Sequence, residues 1–254
     1  MVSIETSTVK KSFIKHSQTS YHLNHFLFPY NIDQSLSENE KKYVSLSDEA
    51  KVLYCIMKSQ FLQTDVTDDE ILNNSNLKFD DENNLFFKYS DLVDFSSILN
   101  IHSYNAIDLL IQELINVELL DEENIHDQEA KCYYLKKPKQ TSKYLTINED
   151  NSFLLPHFLF DFSYFNQLSL KSKIAYSILL EFYIGDFAHT SFIDENGLIY
   201  HNSDVENLKD MLGFQSEAEI IKVKQELIET ELLSEGILDK RPNRLYLNQP
   251  IFKS

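Results

Sequence analysis

The sequence has little with which to cradle a phosphate, hold a metal or gather a nucleic acid. Its four glycines, Gly185, Gly197, Gly213 and Gly236, are isolated and all lie in the second half, so no glycine-rich phosphate loop exists. Two cysteines, Cys55 and Cys132, are too few for a disulfide framework and read as buried thiols of a cytoplasmic protein. No apolar run approaches the roughly 18 residues that span a bilayer, and the opening residues hold no signal-peptide core. Arginine occurs only at Arg241 and Arg244, and acids outnumber bases 40 to 23, for a net charge of −17. Non-specific attraction to phosphates needs a basic face, which this balance argues against. The charge is uneven: residues 1–24 carry +2, 25–138 carry −13 and 139–254 carry −6.

Catalytic constellations are missing as well. No His-x-x-x-His or His-hydrophobe-His spacing occurs, and His22 and His25 have no neighbouring acid or Cys to complete a metal site. The acidic stretch with Asp65, Asp68, Asp69 and Glu70 lacks the glycine turn and ligand spacing of a calcium loop. The expectation is a protein without enzymatic activity, metal or cofactor.

What the sequence does have is a repetition. LSDEAKVLYCIM (46–57) returns as LSLKSKIAYSIL (168–179), each opening on a Ser suited to cap a helix and continuing with apolar residues at three- and four-residue steps. This predicts a helix with one buried face in each half. Asp81 to Leu85 then matches Asp194 to Leu198, Ser103 to Leu120 matches Ser216 to Leu233, and Tyr134-Leu135 matches Tyr246-Leu247. The lead-in pairs as Phe26 to Pro29 with Phe153 to Pro156. Matches in one order over about a hundred residues point to a tandem duplication, and 254 residues suffice for two cores.

Each copy reads as helix, short aromatic strand, second helix, tight turn, third helix and hairpin. In the first copy these are 46–57, Leu85 to Tyr89, Ser90 to Leu99, the turn at 100–103, a helix with Ile107, Leu110 and Leu114, and a hairpin closing at Cys132 to Leu135. The second copy repeats them as Ser169 to Ile184, Leu198 to His201, Ser203 to Leu212, Gly213, Gln215 to Thr230 and Leu232 to Leu247. That order is the winged helix. The fold class expected is α+β, mostly helical, with tandem winged helix-turn-helix domains at 25–138 and 145–254. Residues 1–24 read as a flexible arm and 139–144 as a basic linker.

LSDEAKVLY, DENNLFF, LSLKSKIAY, FIDENGLIY and the NRLYL return strand resemble the N-terminal domain of the RepA_N plasmid replication initiators of low-GC Gram-positive bacteria. The resemblance implies a dimerising winged helix that binds repeated origin sequences in double-stranded DNA. Family members carry one such domain followed by a different region, whereas here the second half is another copy.

The candidate DNA-contacting residues are Gln215, Ser216, Lys222 and Lys224 on the second copy's third helix, Lys240, Arg241, Asn243 and Arg244 on its wing, and Lys136, Lys137 and Lys139 at the basic stretch that opens the linker. Arg241 and Arg244 flank a hairpin tip and are expected to be displayed. The first copy has no Lys or Arg from Tyr89 to Ala130 and so lacks the term that dominates nucleic-acid affinity. Its third helix, with Tyr104 and Leu109 outward, is expected to meet protein: a host replication protein or another copy of the chain. The alternative reading is an acidic adaptor or inhibitor that no longer binds DNA.

Overall fold

The computed structural model describes residues 4–8, 20–28, 38–62, 78–79, 85–124, 131–136, 138–139, 152–184, 192–202, 208–209, 212–214, 216–236 and 244–252. The chain divides into two units. The first comprises Tyr21–Leu27 and Gln34–Ser152; the second comprises Met1–Ser20, Phe28–Asp33 and Phe153–Ser254. The architecture is mixed α/β, with seven α-helices and eleven strands among the described residues.

In the first unit, β2 (Ser20–Asn24) and a short 3-10 turn lead to α1 (Glu38–Val44) and α2 (Asp48–Leu62). Strands β3 (Lys78–Phe79) and β4 (Leu85–Lys88) precede α3 (Tyr89–Ile98) and α4 (Tyr104–Asn116). The hairpin β5 (Leu120–Asn124) and β6 (Lys131–Leu135) closes the unit. The sheet order is β3-β4-β6-β5, with Phe87 opposite Tyr133 and Leu120 opposite Leu135.

The second unit runs β1 (Ile4–Thr8), β7 (Ser152–Pro156), α5 (Phe158–Asp161), α6 (Leu170–Ile184), β8 (Phe192–Ile193), β9 (Ile199–Asn202), α7 (Glu217–Glu229), β10 (Leu233–Gly236) and β11 (Arg244–Phe252). Its sheet is ordered β1-β11-β9-β8, with β10 also on β11; Leu245 faces His201 and Leu233 faces Leu247.

Local rules repeat from one unit to the other, contact for contact. Ser47 Oγ accepts from Ala50 N at 3.2 Å, and Ser169 Oγ accepts from Ser172 N at 3.3 Å, so both central helices are capped by the expected serine. The serine's own N–H donates to a carboxylate of the third helix in both: Ser47 to Glu113 and Ser169 to Glu226, each at 2.9 Å. Tyr54 donates to Lys136 O at 3.5 Å, and Tyr176 donates to Asn248 O at 2.8 Å, so each central-helix tyrosine holds a backbone carbonyl of the return segment, just past β6 in one unit and within β11 in the other.

Four helix ends in the two units need left-handed backbone. Asn100 and Gly213 turn the chain before the third helix at φ of 59° and 67°; Glu118 and Glu231 end it at 61° and 58°. After each third helix the next two N–H groups reach back to close the turn: Glu118 to Ile115 O and Leu119 to Leu114 O, and Glu231 to Ile228 O and Leu232 to Leu227 O. This is the Schellman pattern, with glutamate where glycine is usual. Gly213 stands in the left-handed position anticipated for it.

Three expectations are corrected. The central helices do not bury a single face: 50–57 and 172–180 are buried on all sides, Lys51 and Lys173 included, because each helix is the centre of its unit. The lead-in pairs through HFLF, not through the prolines. Phe26 stands edge-on to Tyr43 and Tyr54 (5.3 and 6.1 Å), as Phe158 does to Phe165 and Tyr176 (5.3 and 5.9 Å), which aligns His25–Phe28 with His157–Phe160. Finally, 1–24 is not an unstructured arm, since β1 pairs antiparallel with β11, Ile4 opposite Phe252, and residues 20–24 form β2. Unpaired N–H and C=O groups along the edge of β11 supply the reason for β1. Of the basic linker, only Lys139 lies among the described residues, as do 208–209 and 212 of the helix expected over Ser203 to Leu212. The acidic stretch 65–70 lies outside them.

Candidate nucleic-acid interface

Helix α7 and the β10–β11 hairpin are built from a short set of local forces. Ser216 is the N-cap of α7, its Oγ accepting from Glu219 N at 3.3 Å. Glu217 and Glu219 occupy the first turn, where the helix dipole favours acids. Ile220, Val223 and Leu227 are buried and fix which face remains outside. That outer face carries Ser216, Glu217, Ala218, Ile221, Lys222, Gln225, Ile228 and Glu229.

The candidate cations are held in different ways. Lys222 is displayed, 75% exposed, with Glu226 3.8 Å from its Nζ. Lys224 is half-buried and bonded to Glu235 at 2.7 Å, so its charge is already spent inside the unit. Lys171, which no motif in the sequence marks, bonds Glu219 at 2.5 Å and lies over the Phe214 ring. It offsets one of the two acids that face the wrong way for DNA.

Arg244 was expected to be displayed at the wing tip. Instead its guanidinium lies 4.5 Å from the centre of the Tyr200 ring, with Glu195 at 3.6 Å and Tyr246 hydrogen-bonded to it. Tyr200 also packs against Tyr246 (5.8 Å) and Phe192 (5.6 Å), so the outer face of β8, β9 and β11 is an aromatic strip with one arginine laid across it. The cause is register: Arg244 and Tyr246 are two apart on β11 and share a face, and Arg244 pairs with Asn202, two residues from Tyr200. Gly236 opposite Arg244 leaves room for the Tyr246 ring, which a Cβ there would meet at 3.3 Å.

In the first unit, Lys136 pairs with Asp121 and Lys139 with Glu118. Lys139 N also donates to Tyr43 Oη at 2.9 Å. Both lysines remain exposed, but each sits beside an acid of its own unit. Gln215, Lys240, Arg241, Asn243 and Lys137 lie outside the described residues. Tyr104 and Leu109 are exposed as expected, at 65% and 66%. Tyr104 stacks on Tyr89, whose hydroxyl donates to Asp108 at 2.8 Å.

Titration follows burial. Burial pushes up the Glu226 carboxyl, but hydrogen bonds from Ser169 and Ser172 outweigh it and hold the group below its ordinary value. Burial brings the Lys173 ammonium down to about 8, with the Phe160 ring 4.3 Å away as its neighbour. Burial also pushes the Cys55 thiol up to about 12, and both cysteines are buried and reduced. No group of three or more His, Cys, Asp or Glu residues placed to hold a metal occurs among the described residues. No helix among them is long and apolar enough to cross a membrane.

The second unit has a counterpart among known families. Residues 151–253 match RepA_N, the replication initiator protein A (RepA) N-terminus. The RepA_N match begins at β7 and runs through the end of β11, taking in the central helix, α7 and the hairpin. Three solved structures are similar to under half of the chain. One, described as "N-Terminal domain of DNA binding protein", is 27% identical over 44% of this chain and 88% of that one, with a TM-score of 0.39. "Structure of Rep-DNA complex" is 27% identical over 45% and 88%, with a TM-score of 0.39. "Structure of MDR initiator" is 31% identical over 45% and 89%, with a TM-score of 0.37. No curated protein matches the chain.

Proposed function

We propose that the chain is a replication-initiator-like, non-enzymatic DNA-binding protein of a plasmid or other mobile element. It is built as two tandem winged-helix units, of which the second meets double-stranded DNA. The observation that carries this reading is the RepA_N match over residues 151–253. The recurrence of the same caps, carboxylate ties and left-handed turns in both units supports the duplication. In this reading α7 enters the major groove, Lys222 and Ser216 face phosphates, and the β10–β11 hairpin lies along the backbone.

A gel-shift series on AT-rich repeats taken from the DNA adjoining the gene tests it. Specific binding should weaken steeply with salt, and Lys222→Glu should weaken it about tenfold or more. Absence of binding at low salt would remove the reading.

A second reading has its own observation. Lys136, Lys139, Lys171 and Lys224 are all ion-paired within their units, which leaves few cations for phosphates among the described residues. It makes the chain an acidic adaptor or inhibitor acting on a protein, and the same gel-shift series decides between the two.

A further inference from the structure

We propose that the outer face of α4, centred on Tyr104 and Leu109 with Tyr89 and Asp108 beside them, docks a basic amphipathic helix of a protein partner. This goes beyond DNA binding by the second unit and does not depend on it.

The face carries two exposed apolar side chains, Tyr104 and Leu109, with the exposed carboxylate of Asp108 between them. Tyr104 and Leu109 are, with Ile193, the most exposed large hydrophobic side chains among the described residues. The Tyr89 ring lies 6.3 Å from that of Tyr104, inclined by 26°, and its hydroxyl fixes the Asp108 carboxylate at 2.8 Å. Two tyrosine rings and a fixed carboxylate are thereby brought together at one end of the face. A guanidinium or ammonium laid on a tyrosine ring next to a carboxylate gains from both.

Charge says what covers it. Between Tyr89 and Ala130 there is no Lys or Arg, while Asp94, Asp108 and Glu123 are exposed. The first cation beyond, Lys131, is bonded to Glu122 at 2.8 Å. A phosphate backbone would be repelled here, and a basic segment would be steered in. The second unit supplies the contrast. By the alignment of the two third helices, Tyr104 corresponds to Glu217, Asp108 to Ile221 and Leu109 to Lys222. Where one helix shows a cation, the other shows a leucine, and where one shows an isoleucine, the other shows a carboxylate.

The shape favours a helix as occupant. Tyr104 and Asp108 stand at i and i+4 on one ridge of the helix and Leu109 stands on the adjacent ridge, so an i, i+4 ridge of a second helix fits the groove between them. The partner segment carries Arg or Lys over Tyr104 and an apolar residue about one turn away against Leu109.

The probe is a fluorescein-labelled amphipathic helical peptide of Leu and Lys, with a Leu and Glu counterpart, titrated with the full-length protein and read by anisotropy. The Lys peptide should bind, with affinity falling as salt rises, and the Glu peptide should not. The double variant Y104A/L109A should bind the Lys peptide about tenfold more weakly or worse, a loss of about 1.4 kcal/mol. Its thermal melt should be unchanged, because both side chains are exposed. Asp108→Asn should lose a few-fold and flatten the salt dependence. Equal affinity for wild type and Y104A/L109A would mean that the peptide reads net charge alone, and would overturn the proposal. So would a Lys peptide that fails to bind, or a Y104A/L109A protein that loses affinity for double-stranded DNA. Lys222→Glu serves as the opposite control, affecting DNA and leaving the peptide alone.

Discussion

Helices α4 and α7 occupy the same station in the two units and have been given opposite surfaces. Their buried sides are nearly interchangeable: Ile107, Leu110 and Leu114 in one, Ile220, Val223 and Leu227 in the other, with Glu113 and Glu226 tying each to its central helix. Their outer sides share little, with Tyr104, Asp108 and Leu109 against Glu217, Ile221 and Lys222. Packing constrains the inner side at the level of single methylenes, whereas the outer side is free to change with the ligand. The inner framework is thus alike in the two units while the outer surface differs.

The carboxylate tie is the contact whose loss should cost most. Glu226 accepts from Ser169 N and from Ser172 Oγ at 2.7 Å, while Glu113 has the single bond described to Ser47 N. Glu226→Ala should cost about 2–3 kcal/mol and Glu113→Ala about 1–2 kcal/mol, both read from urea denaturation. Because the folded pKa of Glu226 lies below its ordinary 4.5, its stabilisation is present above that pH and is lost as pH falls through the lowered value. The gap between wild type and Glu226→Ala should accordingly close in acid. Equal costs for the two glutamates, or a gap that does not depend on pH, would break the comparison.

The two buried lysines sharpen it. Lys51 has Asp48 at 3.8 Å, whereas Lys173 has an aromatic ring and a pKa lowered to about 8. A lowered folded pKa means that the unfolded chain binds the extra proton between about 8 and 10.5, so native stability should rise with pH across that window. Lys173→Met should stabilise the protein at pH 7 by on the order of 2 kcal/mol, with the advantage fading above pH 10. Lys51→Met should gain less. Thermal melts across pH 6 to about 10.5 measure both.

Smaller effects are expected at the tyrosines and at the helix ends. Tyr176→Phe removes a buried bond of 2.8 Å and should cost about 1 kcal/mol; Tyr54→Phe removes one at 3.5 Å and should cost about half as much or less. Glu231→Gly relieves left-handed backbone and should add about 0.5–1 kcal/mol. Glu118→Gly relieves the same backbone conformation and gives up the exposed pair with Lys139, so its net gain should be about 0.5 kcal/mol or less. Denaturation midpoints of the four variants give the ranking.

Much of this framework was legible in the residues. The two serine caps, the Gly213 turn, the hairpins and the outward Tyr104 and Leu109 all follow from short-range rules: side-chain oxygens near free N–H groups, positive φ at glycine, and period. The candidate site was less legible. Lys224, Lys136 and Lys139 looked available in the sequence and are ion-paired in the fold, because their partners Glu235, Asp121 and Glu118 come from neighbouring elements at spacings no motif marks. In the lead-in the two prolines suggest one pairing, whereas the ring packing around Phe26 and Phe158, which the sequence does not mark, sets another.

The sequence by itself determined the serine-capped central helices, the third helices and the hairpins, since each of these depends on residues within about one helical turn or one hairpin of each other. Only the tertiary structure decided that Arg244 lies on Tyr200 rather than at a displayed tip, that β1 is a strand on β11 rather than a loose arm, and that the central helices are buried all round. Those outcomes depend on strand register and on what packs against each face. A one-residue slip in register turns every side chain to the other side of the sheet, and nothing local in the chain records which register wins.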